Sequence, residues 1–174
     1  RGLPLPPAGG LLMLPKRKST AIPHYDYSQP GAYFITLCVE KRRPILGKID
    51  SSPQVVLSSI GKIVSDVWYS LPQRFPCLDA ISQSIFVVVP DHIHGILQIT
   101  AGGGGGPSPT LHQILGSFKS ITTIETNRLL GTPGQKLWQR SAYEHILRNQ
   151  QDFDEAAGYI AENPARRLER EEFE

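Results

Sequence analysis

Two histidines separated by a single residue form the strongest chemical signal in the sequence. His92 and His94 lie in the segment PDHIHG at residues 90–95, directly after an apolar run at residues 85–89. If the segment continues as a strand, both side chains project from the same face, and two imidazole nitrogens can meet one metal ion. An isolated His-x-His pair is more often a pair of surface or core histidines. Polar side chains beside a buried strand are costly unless they are used, however, so the position favours a metal-ligand pair.

A second candidate pair lies four residues apart on the last predicted helix. Tyr159 and Asn163 border an apolar stripe of that helix. The stripe consists of Phe153, Ala156, Ala157 and Ile160. On spacing alone, the tyrosine is more often a boundary residue of an amphipathic helix. In the functional alternative, the Tyr159 hydroxyl is a nucleophile and the Asn163 amide oxygen is a metal ligand. Because the pKa of a phenol is near 10, attack at neutral pH would need local activation, which a metal can supply.

The elements that would position these residues follow from apolar periodicity and from cap residues. Runs rich in β-branched and aromatic residues predict strands at residues 33–39, 45–49, 85–89 and 92–100. Helices are predicted from the cap Ser52 to Leu71, ended by Pro72; from Thr110 to Leu130, ended by Gly131; and from the cap Asn149 to the residue before Pro164. Residues 138–147 fit either a strand or an extended segment. This order predicts an α+β fold with helices packed on an antiparallel sheet.

Length and composition fit one globular domain. The chain has 174 residues, of which 40% are hydrophobic and 20% are charged, and no apolar run approaches the roughly 20 residues that span a bilayer. Cys38 and Cys77 lack metal-type spacing and cannot form a disulfide framework, which favours a reduced, cytoplasmic environment. The first residues also lack the pattern of a secretory signal.

The net charge of +2 hides an asymmetry along the chain. Residues 1–149 carry 15 Lys and Arg against 8 Asp and Glu, a net of +7, whereas residues 150–174 carry 3 against 8, a net of −5. This asymmetry indicates that residues 1–149 bind a polyanion. We expect a flexible basic arm at residues 1–21, of which 1–12 are upstream or non-native sequence. We also expect one domain at 22–167 with a Gly/Pro linker at 101–109, and an acidic tail at 168–174.

The chain resembles the single-tyrosine HUH transposases, in particular the REP-associated tyrosine transposases related to insertion-sequence-200-like elements. The resemblance covers about residues 22–167 and rests on an ordered set of short motifs. These are YDYSQPGAYF at 25–34, PDHIHG at 90–95, GSFKS at 116–120, WQR at 138–140, YEH at 143–145 and YIAENP at 159–164. Each motif is weak alone, and the ordered set is specific.

The resemblance implies a fold, a site and a reaction. The fold would be the HUH endonuclease fold, a ferredoxin-like antiparallel sheet with helices packed on it. His92 and His94 would ligate a divalent metal, Asn163 would complete the metal site, and Tyr159 would be the nucleophile. Tyr159 would attack a phosphate of single-stranded DNA that bears a hairpin, leaving a 5′-phosphotyrosine and a free 3′-hydroxyl. Two imidazoles and an amide oxygen suit Mg²⁺ or Mn²⁺, although the ligand types alone leave zinc open.

The resemblance also implies a DNA surface, a bacterial cytoplasmic location at the nucleoid, and action as a monomer or homodimer. The candidate phosphate contacts and the candidate stacking residue Trp138 are spread along the chain. The cations are Lys16, Arg17, Lys18, Lys41, Arg42, Arg43, Lys119, Arg140 and Arg148. For any single cation, a solvated surface charge is at least as probable.

Three alternatives stay open from the sequence. Tyr143 is a rival nucleophile, because Trp138 and His145 lie near it in the chain. The protein could instead be a replication initiator or relaxase with the same HUH chemistry, or a domesticated DNA-binding protein without turnover.

Beyond Pro164 the chain also departs from the family pattern. Gly158, directly before Tyr159, weakens the predicted helix by about 1 kcal/mol relative to alanine.

Overall fold

The computed structural model describes residues 31–51, 54–100 and 109–173, with the backbone alone described for 164–173. The predicted arm at residues 1–21, with Lys16, Arg17 and Lys18, lies outside the described residues. So does the predicted linker, apart from residue 109.

A four-stranded antiparallel sheet is the centre of the fold. The strands in chain order are β1 (Gly31–Cys38), β2 (Gly47–Ile49), β3 (Val55–Leu57), β4 (Phe86–Val89), β5 (His92–Ile99) and β6 (Tyr143–Leu147). The main sheet has the order β4-β5-β1-β6, and β2 pairs with β3 in a separate ribbon. The helices are α1 (Ser59–Arg74), α2 (Leu111–Leu130) and α3 (Gln150–Phe173). This arrangement confirms the predicted α+β fold with a ferredoxin-like sheet.

Strand alternation gives the sheet two buried faces. Tyr33 and Ile35 of β1 face the larger core, which α1 and α2 cover. Phe34 faces the second core, which includes Ile96 of β5 and Ile160 of α3. Because side chains alternate along a strand, one strand supplies both cores. The even-numbered residues of β1 and β5 therefore lie on the face that α3 covers.

The predicted limits of the first helix are wrong. Residues 55–57 form β3, because Val55 pairs with Ile49 across the small ribbon. The helix begins at Ser59, and its N-cap is Ser58, whose hydroxyl accepts a hydrogen bond from the Gly61 amide at 3.0 Å. Pro72 does not end the helix. It lies in the last turn of α1, which continues to Arg74, and the Trp68 carbonyl that loses its helical donor accepts from Gln83 Nε2 at 2.9 Å instead.

The second helix is confirmed at both ends, and the third only at its start. Thr110 and Gln113 form a capping box at the start of α2, and Gly131 ends it with φ 66°. Asn149 caps α3 by accepting a bond from the Asp152 amide at 2.8 Å. The predicted end before Pro164 is wrong, because the helical backbone continues to Phe173. No helix in the described ranges is long and apolar enough to cross a membrane.

The ambiguous segment at residues 138–147 contains a strand. Trp138 forms an isolated bridge with Val39, and the chain then continues into β6 on the free edge of β1. The sheet therefore gains its fourth strand directly before α3. This connection brings the start of α3 to the face of the sheet that carries the even-numbered residues of β1.

The glycine after the histidine pair is required by packing on the opposite face. A Cβ at Gly95 would collide with the ring of Trp68 and lie 3.2 Å from Phe86 Cδ1. These two rings stack with centroids 4.5 Å apart, and Trp68 is fully buried. We expect Gly95→Ala to lower the free energy of unfolding by about 1–3 kcal/mol, as overpacked cores do. Urea denaturation measures this change.

Gly116→Ala is the matched control for that substitution. Gly116 lies within α2, and a Cβ there would meet nothing within 4 Å. Removing a glycine from a helix interior should raise the free energy of unfolding by about 0.5–1 kcal/mol. Shifts of the two variants in the same direction would contradict the packing described at Gly95.

A candidate metal centre beside a buried tyrosine

The side chains of the two histidines converge at the start of β5. The Nε2 atoms of His92 and His94 lie 3.0 Å apart, and both side chains are buried, His94 completely. Two nitrogens bound at about 2.1 Å to one ion, at an angle of about 90°, are separated by about 3.0 Å. The spacing of the pair therefore fits neighbouring positions on a single divalent ion.

The outer ring nitrogens of both histidines have partners in the fold. His92 Nδ1 lies 2.7 Å from Asp91 Oδ1, and His94 Nδ1 lies 2.7 Å from Thr36 Oγ1. An ionised carboxylate can only accept hydrogen bonds, so His92 carries its proton on Nδ1. The lone pair of the His92 ring is therefore on Nε2. Burial, followed by the neighbouring His92, holds the pKa of His94 well below its usual 6.5. His94 is therefore neutral at pH 7, as a metal ligand must be.

The pairing of β1 with β5 supplies the partner of His94. In the antiparallel register, Thr36 lies opposite His94 and Cys38 lies opposite His92. The Cys38 thiol is buried, and this burial raises its pKa to about 11, so it stays protonated near neutral pH. Sequence reasoning missed Thr36, because it lies 58 residues from His94 and only the strand register brings the two together.

In the described part of the chain, a third metal ligand beside the two histidines would have to be a side chain other than His, Cys, Asp or Glu. Among the described residues, no group of three His, Cys, Asp or Glu side chains could hold a metal ion. Asn163 is a different type of donor, and it is buried on α3 one turn beyond Tyr159. Its neutral amide oxygen suits a hard cation such as Mg²⁺ or Mn²⁺. The donor set of His92, His94 and Asn163 therefore fits these ions chemically.

Tyr159 lies beside the histidine pair. Its ring meets the His94 ring edge-on with centroids 5.5 Å apart, and it meets Phe34 at 6.1 Å. Phe34 in turn stacks on His94 at 5.3 Å. Tyr159 is 2% exposed, and its hydroxyl oxygen is buried as well. Packing of α3 against the sheet thus brings the predicted nucleophile to the predicted ligands, but shields it from solvent.

The rival tyrosine borders the same aromatic cluster. Tyr143 lies opposite Thr36 on β6, and its ring meets Phe34 at 6.2 Å. Burial, followed by the neighbouring Tyr159, raises the pKa of Tyr143, which disfavours its phenolate form. Tyr143 therefore contacts the cluster through Phe34, whereas Tyr159 contacts a metal-ligand candidate directly.

Several predicted DNA contacts have structural partners instead. Arg42 bonds Asp91, and Lys119 Nζ donates to the carbonyl oxygens of Gln139 at 2.8 Å and Arg140 at 3.0 Å. The prediction that Trp138 offers a stacking platform is wrong. Its side chain is 3% exposed, and its indole N–H donates to Thr122 Oγ1 at 2.8 Å. The exposed members of the predicted set within the described part are Lys41, Arg43, Arg140 and Arg148.

A cleft of about 510 Å³ lies between the second half of α2 and residues 134–140. Lys119, Lys136 and Arg140 contribute positive charge to its lining. Its remaining walls are hydroxyl, amide and apolar side chains, among them Ser120, Thr123, Ile124, Asn127 and Gln135. The cleft adjoins the end of β1 that pairs with His92, because the Gln139 amide donates to the Cys38 carbonyl at 2.8 Å. The candidate phosphate contacts predicted from the sequence include Lys119 and Arg140 of this lining but none of its amides, which have no recognisable spacing.

The site thus combines a buried histidine pair on the central sheet with a helix-borne tyrosine next to it. No family model matches the chain. A protein of Haemophilus influenzae, described only as an uncharacterized protein, is 30% identical over 164 residues, which cover 85% of this chain and 88% of that relative. The chain belongs to the same family as this Haemophilus protein.

A solved structure of a REP-associated tyrosine transposase bound to a REP hairpin has the same fold. It superposes with a TM-score of 0.55 at 19% identity, covering 85% of this chain and 74% of that one. This likeness confirms, at the level of the fold, the resemblance indicated by the sequence motifs.

The hydroxyl of Thr36 should contribute measurably to stability. Thr36→Val keeps the shape but leaves buried His94 Nδ1 without this partner, so we expect a loss of about 1–3 kcal/mol in the free energy of unfolding. Thr123→Val is the control, since that hydroxyl bonds only a carbonyl of its own helix. Urea denaturation at pH 7 measures both, and an equal loss in the two variants would contradict the role of Thr36.

Proposed function

We propose that the protein is a metal-dependent transposase that cuts and rejoins single-stranded DNA carrying a hairpin. His92, His94 and Asn163 would hold Mg²⁺ or Mn²⁺, and Tyr159 would form the covalent intermediate. The observation that carries this proposal is the 3.0 Å convergence of the two Nε2 atoms, in direct ring contact with Tyr159. The fold shared with a REP-associated tyrosine transposase supports it.

The reaction is a transesterification that balances without a cofactor nucleotide. The Tyr159 oxygen bonds to the scissile phosphorus as the bond from phosphorus to the 3′-oxygen breaks. The phenol proton is released, and the departing 3′-oxygen gains a proton to become a hydroxyl. A divalent ion bound at the histidines would polarise the phosphate and hold it in position for attack. The phosphotyrosine conserves the energy of the phosphoester, so that a 3′-hydroxyl can reverse the reaction and rejoin the strand.

The buried hydroxyl places a condition on this chemistry. The Tyr159 oxygen is shielded from solvent, and we propose that α3 shifts to let a phosphate approach it. Gly158 precedes the tyrosine, and no side chain or neighbouring backbone atom lies within 4 Å of where its Cβ would be. A glycine there weakens the helix without any packing reason. We propose that it allows the turn carrying Tyr159 to loosen when DNA binds.

The DNA surface would extend from the histidine pair to the cleft beside α2. Lys136 and Arg140 are exposed there, and Lys41 and Arg43 flank the same end of the sheet. Cations in such a row bind successive phosphates of a single strand. The residues Lys16, Arg17 and Lys18 of the predicted arm belong to this proposal as further contacts. Arg148, exposed after β6, is a more distant candidate.

A second candidate function is DNA binding without turnover. The observation that favours it is the shielded Tyr159 hydroxyl, since a nucleophile that stays buried cannot react. A replication initiator or relaxase would share the covalent step and differ in the DNA it accepts. The covalent adduct with a hairpin-bearing strand therefore separates these functions.

The direct test is a labelled single-stranded oligonucleotide with a hairpin, incubated with the protein and Mn²⁺ and run on a denaturing gel. We expect a covalent adduct that is lost in EDTA and in Tyr159→Phe. Tyr143→Phe is the matched control and should keep the adduct. The His94 ring contacts the rings of Phe34, His92 and Tyr159, and not that of Tyr143.

Three results of this experiment would contradict the proposal. An adduct that persists in Tyr159→Phe and disappears in Tyr143→Phe would identify Tyr143 on β6 as the nucleophile. Tight binding without an adduct, across hairpins of different sequence, would favour the non-catalytic function. An adduct on unstructured strands alone would favour the initiator or relaxase.

Removing cations from the cleft should weaken DNA binding in a salt-dependent way. For the double variant Lys136→Gln and Arg140→Gln, we expect the slope of log affinity against log salt to fall by about 0.7 for each lost phosphate contact. Lys62→Gln and Lys48→Gln, exposed on α1 and β2, form the matched control and should leave the slope unchanged. Fluorescence anisotropy with a single-stranded oligonucleotide measures the affinity at each salt concentration. Equal slopes for both double variants would show that the cleft does not bind DNA.

A further inference from the structure

Arg42 contacts the histidine pair through Asp91. Its Nη2 lies 3.1 Å and its Nε 3.2 Å from Asp91 Oδ2. The other oxygen, Asp91 Oδ1, lies 2.7 Å from His92 Nδ1. The carboxylate therefore joins the guanidinium on one side to the imidazole on the other. The Arg42 side chain is 32% exposed and that of Asp91 only 9%, so this ion pair is largely withdrawn from water.

The backbone at Arg42 is strained. Lys41 and Arg42 have φ values of 59° and 54°, and they are the only residues other than glycine with positive φ in the described part of the chain. Each such conformation costs on the order of 1–3 kcal/mol, and it persists where the surroundings determine it. Here the Arg42 amide donates to the Val39 carbonyl at 2.8 Å, which closes the turn after β1. The turn directs the guanidinium at Asp91 rather than away from the sheet.

The same turn also holds the backbone of Asp91. The Val39 amide donates to the Asp91 carbonyl at 2.9 Å, and the Leu46 amide donates to the Pro90 carbonyl at 2.9 Å. The link between β4 and β5 is thus fixed on both sides by the segment that carries Arg42. Side-chain and backbone contacts together determine where the Asp91 carboxylate lies.

We propose that Arg42 is a positioning residue for the metal centre, acting through Asp91 on His92. By holding Oδ2, it keeps Oδ1 in place to accept the Nδ1–H of His92, and this orients the Nε2 lone pair towards the ion. Residues that orient a ligand in this way contribute about 10–100-fold to metal affinity. The inference rests on the proposed function, because it concerns the metal ligand His92. It reassigns Arg42, which the sequence predicted as a phosphate contact.

The test compares Arg42→Gln with Lys41→Gln. The two residues are adjacent, carry the same charge and share the same backbone region, but Lys41 is exposed and makes no contact with Asp91. The dissociation constant of Mn²⁺ is measured from the EPR signal of the free ion, without DNA. We expect Arg42→Gln to weaken Mn²⁺ binding about 10–100-fold, and Lys41→Gln to leave it within about twofold of the unchanged protein. Arg42→Lys should restore part of the loss, because an ammonium can still bind Oδ2.

The direction of the change separates positioning from simple charge. Removing a cation near a bound Mn²⁺ lowers electrostatic repulsion, and by itself this would tighten binding. Tighter or unchanged Mn²⁺ binding in Arg42→Gln overturns the inference, and so does equal weakening in Lys41→Gln. Urea denaturation shows whether Arg42→Gln is folded at the temperature of the titration. If it is not, Arg42→Gln and Lys41→Gln are both titrated at a lower temperature at which Arg42→Gln is folded, and the same outcomes decide.

The proposed function fails in a different way. If His92→Gln and His94→Gln bind Mn²⁺ as tightly as the unchanged protein, the metal does not bind at the histidines and both proposals are overturned. If these variants lose Mn²⁺ and Arg42→Gln does not, only the role of Arg42 is overturned. If Arg42→Gln binds single-stranded DNA more weakly in EDTA but binds Mn²⁺ as tightly as the unchanged protein, Arg42 contacts phosphate and does not position the metal ligand.

Discussion

Two imidazole rings buried on a central strand have four ring nitrogens that need partners, and the surrounding fold is built to supply them. Asp91 and Thr36 bind the two outer nitrogens, and the inner nitrogens face each other at 3.0 Å. Leaving a buried polar atom without a partner costs about 1–3 kcal/mol, so each contact constrains the strand register. The register of β1 against β5, which places Thr36 opposite His94, and the turn that places Asp91 beside His92 both satisfy this requirement.

The same strand must also pack on its other face, and this explains the composition of β5. Ile93, Gly95 and Leu97 alternate with the polar histidines and lie in or against the larger core. The missing side chain at Gly95 leaves room for the Trp68 ring. Because this face is rigidly packed, the histidine face has a stable base. Within the described part of the chain, α3 covers the histidine face through a smaller cluster that includes Tyr159 itself.

The sequence predicted those features that depend on short-range patterns. The alternation around His92 and His94, the cap at Thr110 and the stop at Gly131 are local, and the structure confirms them. Errors arose where distant pairing overrides a local signal. Residues 55–57 pair with β2, although Ser52 and Pro53 resemble a helix start, and the last helix continues past Pro164. The partners Thr36 and Arg42 could not be predicted, because a strand register and a left-handed turn bring them to the site.

The central claim is that both histidines bind one divalent ion next to Tyr159. Pulsed EPR of the Mn²⁺-loaded protein tests it most directly, because nitrogen nuclei bound to Mn²⁺ modulate the electron spin echo. We predict coupling to two imidazole nitrogens in the unchanged protein and to one in His94→Gln, with the signal unaltered in the control His145→Gln. An echo without nitrogen modulation, or modulation that survives the loss of both His92 and His94, would contradict the account.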